Sequence, residues 1–167
     1  MAKNHFTATG IVFNSKKEVL MIFHKKFKLW LLPGGHIDEN ELPTEAVLRE
    51  VFEETGVRAS LIPNKRGVAE HSQNVKELDL PFTAITANFE GDKSYNICDM
   101  TFLCRALNTD LTPQENEVDS VGWFSIEQAS KLKTFDDIFP TIVKALEYLD
   151  NNPEYFSEMF IKKEQPQ

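Results

Sequence analysis

Apolar and polar positions along the chain change period several times, and each change marks an element. Phe6 to Phe13 and Val19 to His24 are short β-prone runs separated by the turn-like set Asn14-Ser15-Lys16-Lys17, so they read as a hairpin or as neighbouring strands. Leu29-Trp30-Leu31-Leu32 is a third apolar run, ended by Pro33-Gly34-Gly35. Val57 to Glu70 holds one or two strand segments interrupted at Pro63-Asn64, and His71 to Leu80 is polar and weakly patterned, as expected of a loop overhanging a site. Phe82 to Phe89 alternates, Glu90-Gly91-Asp92-Lys93 makes a turn, and Tyr95 to Leu107 is a longer strand with Met100, Phe102 and Cys104 on one face. Val118 to Phe124 is the last strand, and Ser125 opens a short helix.

Two longer helices have the helical period. Pro43 suits a first helical turn, nothing from Thr44 to Thr55 breaks a helix, and Gly56 stands where a left-handed C-terminal cap belongs. The other runs from Asp137 or Pro140 to Asp150, with Ile138, Ile142, Leu146 and Leu149 as its stripe, and Asn151-Asn152-Pro153 interrupts it. Strands and helices are mixed rather than strictly alternating, which predicts a mixed β-sheet covered by helices, an α/β (α+β) fold. No repeat, low-complexity tract or linker divides the 167 residues, so one domain is expected, with a core at about residues 5–150 and a helical tail over 151–167.

The first long helix carries the chemistry. At about 100° per residue, Val47, Val51, Leu48 and Phe52 fall on one apolar arc, with Glu50, Glu53 and Glu54 on the other side and Arg49 beside them. Like charges at those spacings repel, each pair by roughly 0.2–0.5 kcal/mol, so stability alone would favour Lys at one of them. A hard divalent cation resolves the conflict, because it takes carboxylate and carbonyl oxygens and can bridge to a phosphate. A solvated acidic face is the alternative.

The register around this helix argues against that alternative. Gly35, Glu41, Arg49, Glu50, Val51, Glu53, Glu54, Gly56 and Val57 match the pattern G-x5-E-x7-R-E-U-x-E-E-x-G-U, where U is a bulky aliphatic residue. That pattern is the Nudix box, and the chain resembles the Nudix hydrolases, which cleave pyrophosphate links in a nucleoside diphosphate joined to another group. The W-x-x-P-G-G segment from Trp30 to Gly35 is also common in that family. The resemblance implies an α/β/α sandwich, with Mg²⁺ (or Mn²⁺) held by Glu53, Glu54 and the Gly35 carbonyl. Glu50 would be a further ligand or the base that takes a proton from the attacking water.

Arg49 would hold a catalytic carboxylate in place, or pair with Glu45 on the helix surface. Glu41 would organise the loop before the helix. Many relatives draw one more glutamate from a distant loop shortly before a W-F dipeptide; ahead of Trp123-Phe124, Glu117 has the better spacing and Glu115 is the reserve. His24, Lys28 and Trp30 are candidate substrate contacts, as are Lys25, Lys26, Phe27 and Tyr95; His36 is read as a loop residue. In place of the usual hydroxyl before Pro43 stands Leu42, which forfeits roughly 1 kcal/mol of capping but no catalytic group. A proline that accompanies ADP-ribose substrates, or a tyrosine that accompanies dinucleoside polyphosphates, is absent around Ser72-Gln73-Asn74.

Composition narrows the partners. A net charge of −8 and a pI near 5.0 argue against binding nucleic acid or an anionic membrane. The same charge repels a polyphosphate, so bound cations are needed to attract one. The expected partner is a small-molecule nucleotide, and the resemblance adds a homodimer. Cys98 and Cys104, roughly 20 Å apart on one extended strand, cannot bridge and read as small core residues of a reduced, cytoplasmic protein. Met1 to Phe6 lead directly into a strand-like run, so neither a signal leader nor a membrane-spanning segment is expected.

Three functions fit the pattern to different degrees. The leading one is metal-dependent hydrolysis of a nucleoside diphosphate derivative, such as a modified nucleoside triphosphate. A nucleotide sensor on the same fold would commonly have lost box carboxylates, which are intact here. An isopentenyl diphosphate isomerase would need Cys98 or Cys104 facing the metal cleft.

Overall fold

The computed structural model describes residues 3–69, 73–88, 95–113 and 116–155. The turn expected at Glu90-Gly91-Asp92-Lys93, residues His71, Ser72 and Glu115, the side chain of Tyr95 and the tail from 156 onward lie outside them. The element order is β1 (Lys3–Phe13), β2 (Val19–His24), β3 (Leu29–Leu31), β4 (Gly34–His36), α1 (Pro43–Thr55), β5 (Ala59–Leu61), β6 (Thr83–Ala87), β7 (Tyr95–Ala106), β8 (Val118–Phe124), α2 (Ile126–Ala129) and α3 (Ile138–Asp150).

The strands form one mixed sheet in which the path β3-β2-β1-β7-β5 is extended by β4 on β1, β6 on β7 and β8 on β2. Its spine is the parallel pair β1 and β7, in register from Lys3↔Tyr95 to Phe13↔Arg105. β1 and β2 are antiparallel neighbours that meet at Phe13↔Val19; β2 then runs against β8 and β3. The sheet alternation sorts the core into two layers. Ala8, Val12, Leu20, Phe102 and Cys104 face α1 with its Val47 and Val51. Ile11, Phe13, Met21 and Leu103 face α2 and α3, with Ala129, Ile142, Ala145 and Leu149. The sheet therefore lies between helices, the expected sandwich.

Two features set how α1 sits. A Cβ at Gly10 would stand 2.8 Å from Val51 Cγ2 and 3.3 Å from Val47 Cγ2, so a bare backbone on β1 lets the helix close onto the sheet. Gly56 ends the helix at φ 75°, and its N–H donates to the Phe52 carbonyl. At the other end Leu42 has no capping side chain; the Glu45 carboxylate accepts the Leu42 N–H at 3.2 Å in its place.

Three expectations are corrected. The buried stripe of α1 is Ala46, Val47, Val51, Glu54 and Thr55, whereas Phe52 is 46% exposed. Val47, Val51 and Glu54 are i, i+4 and i+7, one helical face, so Glu54 lies under the helix and not on a separate solvated side. Pro33-Gly34-Gly35 does not only end an apolar run, because Gly34–His36 forms β4, antiparallel to Thr7–Thr9 of β1. The described part of the 71–80 loop packs on the chain before it, with Asp79 and Glu77 accepting the N–H groups of Asn64 and Arg66, and none of it lines the cavity described next.

Candidate functional site

The carboxylates of α1 are held at the edge of the sheet, beside β4. Glu54 is only 2% exposed, and its Oε2 accepts the Gly34 N–H at 2.9 Å. Burial, the main cause, pushes its carboxyl up to about 8, and the nearby charges of Glu50, Glu117 and Glu53 add to the rise. Glu50 is half-buried, and burial raises it above the ordinary carboxylate range against the opposing pull of Arg49. Gly35 presses on it: a Cβ there would meet Glu50 Cδ and Oε1 at 2.6 Å and Oε2 at 2.8 Å. The glycine backbone and the Glu50 carboxylate thus share a space that no side chain could enter.

Arg49 ties the site together. Its Nε and Nη2 donate to the two oxygens of Glu41, each at 2.8 Å. Nη1 donates to Glu50 at 2.7 Å and to Glu53 at 3.1 Å, and Nη2 also reaches the His36 carbonyl at 3.0 Å. The Glu41 pair, bidentate and charge-assisted, holds Glu41 below the usual carboxylate range and keeps Arg49 charged. Glu41 also accepts the Asp38 N–H at 3.0 Å, which fixes the loop entering α1. Glu45, the alternative surface partner for Arg49, accepts the Leu42 N–H instead.

The donor set is one that hard cations take: four glutamate carboxylates, counting Glu117, beside a glycine backbone. Among the described residues, no three His, Cys, Asp or Glu side chains are already gathered as a ligand cluster. The reason is visible in the geometry: Arg49 draws Glu50 and Glu53 while Gly34 holds Glu54. The mutually repelling carboxylates, of which Glu54 is buried, nevertheless fit a divalent cation, which would neutralise what Arg49 alone leaves unbalanced.

A cavity of about 730 Å³ opens next to these groups, a size that suits a nucleotide-sized ligand. Gly34, Gly35, His36 and Glu117 line one end, and His24, Lys25, Lys26 and Phe27 line a wall. Glu117 is exposed and lines the cavity, and its charge acts to raise both Glu50 and Glu54. Of the candidate substrate contacts, His24 lines the cavity; burial, its main influence, lowers the imidazole against the charge of Glu117. Lys28 and Trp30 do not line it. Lys28 pairs with Asp119 at 3.2 Å, and Trp30 is packed edge-on between Phe23 and Phe124 because β3 turns it into the core.

The far end of the cavity holds residues that no motif singles out. Thr7 and Thr9 of β1 and Asp99 and Thr101 of β7 point into it, beside Ile97, Ile85, Ile138 and Thr141. The signal was there as alternation: polar residues at i and i+2 on two strands that are otherwise apolar inward. Cys98 and Cys104 do not line the cavity; Cys104 is fully buried and Cys98 partly so, and both are free thiols. An isomerase using either sulfur at the cavity is therefore disfavoured. No helix among the described residues is long and apolar enough to cross a membrane.

Comparison with known proteins agrees with this geometry. A family model described as NUDIX domain matches residues 3–146. A hydrolase of the NUDIX family from Clostridium perfringens has a crystal structure that superposes with a TM-score of 0.75 at 28% identity, covering 87% of this chain and 97% of that one. A putative 8-oxo-dGTP diphosphatase from Bacillus subtilis is 41% identical over 76 residues, which are 46% of this chain and 50% of that protein. A probable DHNTP pyrophosphohydrolase from Lactococcus lactis is 30% identical over 121 residues, 72% of this chain and 63% of that protein. The match thus spans less than two thirds of either curated relative.

Proposed function

The chain belongs to the Nudix family, and from that premise we propose that it hydrolyses a pyrophosphate bond in a nucleoside diphosphate derivative, using Mg²⁺ or Mn²⁺. The observation that carries the proposal is that Glu50 packs against the Gly35 backbone and Glu54 holds the Gly34 N–H, while both glycines line a nucleotide-sized cavity. The B. subtilis and L. lactis relatives, named for a nucleoside triphosphate and for DHNTP, support a triphosphate-type substrate.

Glu53, Glu54, Glu117 and the Gly35 carbonyl would hold the cations, which supply charge neutralisation on the phosphoryl oxygens and a more acidic water. Glu50 accepts the proton of the water that attacks phosphorus. One of its oxygens is anchored by Arg49 and both face Gly35, so the carboxylate is aimed rather than free to rotate. Arg49 positions it and sets the entry loop through Glu41. His24 reaches the phosphates from the cavity wall.

The test is phosphate release from a panel of nucleotides with Mg²⁺ or Mn²⁺, wild type beside Glu53→Gln. The panel holds canonical and oxidised nucleoside triphosphates, ADP-ribose, dinucleoside polyphosphates, NADH and nucleotide sugars. Turnover that disappears in the variant supports the hydrolase. Equal turnover in Glu53→Gln removes the metal assignment, and silence across the panel with a nucleotide still raising the melting temperature replaces the hydrolase by a nucleotide sensor.

A further inference from the structure

On the floor of the cavity formed by β1 and β7, the Asp99 carboxylate sits in a cradle of hydroxyls. Thr7 Oγ1 and Thr9 Oγ1 both donate to Oδ1 at 2.7 Å, and Thr101 Oγ1 donates to Oδ2 at 2.7 Å. A hydroxyl has one proton and two acceptor lone pairs, and an ionised carboxylate has acceptors only. With their protons committed to Asp99, the three threonines offer acceptors alone. The cradle itself therefore presents acceptors, with Asp99 Oδ2 keeping the most unused capacity, while Thr83 and His5 stand at its borders as register partners of Thr101 and Ile97.

The strands fix the arrangement. Thr7↔Asp99 and Thr9↔Thr101 are register partners across β1 and β7, so all four side chains share one sheet face. Ile85 is paired with Asp99 from β6, and Ile97 lies two residues away on the same face of β7, so apolar flanks stand beside the polar floor. Ile138 and Phe135 close the cavity from the side of α3. On the other edge of β1, Ala8 pairs with Gly35. Asp99 and Gly35 are thus two strand spacings apart, roughly 10 Å, a span comparable with the length of a nucleoside.

A floor of acceptors between apolar walls fits a flat heterocycle that presents neighbouring donors. Guanine does so with its ring N–H and 2-amino group. Adenine and cytosine place a donor next to an acceptor, and thymine sets one donor between two acceptors. We propose that Asp99, oriented by Thr7, Thr9 and Thr101, is the base-reading residue and selects a 2-amino-4-oxopyrimidine edge, that of a guanine nucleotide or of a pterin triphosphate. The inference rests on the hydrolase reading for which phosphates are present, but base reading itself needs no turnover. Thr7, Thr9 and Thr101 are positioning residues, and Asp99 touches the ligand.

The experiment is calorimetric binding of dGMP, dIMP and dAMP to the full chain, wild type and Asp99→Asn. dIMP differs from dGMP only by the missing 2-amino group. A site built around a hydrogen bond rejects the analogue that lacks it, so wild type should bind dGMP roughly 10- to 100-fold more tightly than dIMP or dAMP. In Asp99→Asn that ratio should fall to within about threefold, with dAMP affinity and melting temperature little changed. Equal binding of dGMP and dIMP by wild type overturns the proposal without recourse to a variant, as does a ratio that survives in Asp99→Asn. Turnover of dGTP, dITP and dihydroneopterin triphosphate then separates the two sources of the edge: under the proposal the Asp99→Asn rise in KM is larger for dGTP or for the pterin than for dITP, which keeps only the ring N–H. Selective dGMP binding with no metal-dependent turnover keeps this inference and rejects the hydrolase; metal-dependent turnover with no preference among bases does the reverse.

Discussion

Gly35→Ala places a methyl group where the structure has a carboxylate. The added Cβ would lie 2.6 Å from Cδ and Oε1 of Glu50 and 2.8 Å from Oε2. Ordinary contact begins near 3.5 Å, so one partner must retreat by roughly 1 Å. The backbone of β4 is the less mobile partner, because Gly35 is paired with Ala8 on β1 and the preceding Gly34 N–H is held by Glu54. Glu50 therefore moves, and it leaves the 2.7 Å contact with Arg49 Nη1. Misplacing a reacting group by about 1 Å costs on the order of 100-fold in rate. Stability should change far less. Gly35 is not among the residues with positive φ, so alanine gains roughly 0.4–1 kcal/mol from the unfolded chain, against about 1 kcal/mol of crowding. Steady-state kinetics beside a thermal melt should show kcat down about 100-fold with the melting temperature within a few degrees of wild type. Glu50→Asp, which withdraws the carboxylate, should make the same alanine substitution much less harmful. A Gly35→Ala enzyme within threefold of wild type, or losses that simply add in the double variant, would refute the reasoning.

Other consequences follow from single groups. In chelator-treated protein, Glu54 is raised from 4.5 to about 8, so the stability of folding it neutral is full below 4.5 and is lost as pH rises to 8. Urea unfolding should therefore show a loss of roughly 3–5 kcal/mol across that window, which Glu54→Gln should flatten; parallel curves for the two proteins would contradict it. Arg49→Lys cannot serve Glu41 from two nitrogens while also reaching Glu50, Glu53 and the His36 carbonyl. Its kcat should fall at least about 10-fold, and loss of the charge-assisted bonds should lower the unfolding free energy by roughly 1–3 kcal/mol; near-normal kinetics would show that the fork is dispensable. Burial pushes the Cys104 thiol up to about 12, so iodoacetamide at pH 8 should modify Cys98 in the native protein and Cys104 only after unfolding, read by mass spectrometry. The linked effect on stability is a decline as pH rises above 9, where the unfolded thiol ionises and the folded one does not.

Local rules made part of this structure legible in advance. Pro43 and Gly56 bound α1 by backbone chemistry that acts within a few residues, and the observed helix keeps both limits. β2 and β8 likewise follow from short apolar runs between turn residues. What the pattern could not carry was long-range or depended on glycine. β4 is mostly glycine and has no apolar signature, yet its place on β1 brings Gly35 against Glu50. The parallel partnership of β1 with β7 joins segments about 90 residues apart, and only that pairing turns scattered threonines into a cradle for Asp99. Glu54 misled for a different reason. Its charge suggests solvent, but its spacing from Val47 and Val51 puts it on the buried face, and geometry prevailed.

Asp99 on the cavity floor and Glu54 behind the glycines that line it are opposites in hydrogen-bond terms, and the contrast constrains the ligand. Asp99 is provided for: three hydroxyls satisfy it at 2.7 Å each, so it keeps its place in the fold without a ligand. Glu54 has one backbone N–H and three carboxylate neighbours that oppose its charge, so it is stable there only with a proton or a cation. Departures from ordinary helix design gather on α1 and its entry: Leu42 at the cap, Asn40 at φ 65° and the acidic residues at i, i+3 and i+4. Such conflicts persist where function requires them and the surrounding packing holds them in place, here the close contact of α1 with Gly10. A ligand serving both groups must bring donors to Asp99 and anionic oxygens, with their cations, past the lining glycines toward Glu54. A heterocycle carrying a neighbouring N–H and amino group at one end and a polyphosphate at the other meets both demands across a single span of two strands.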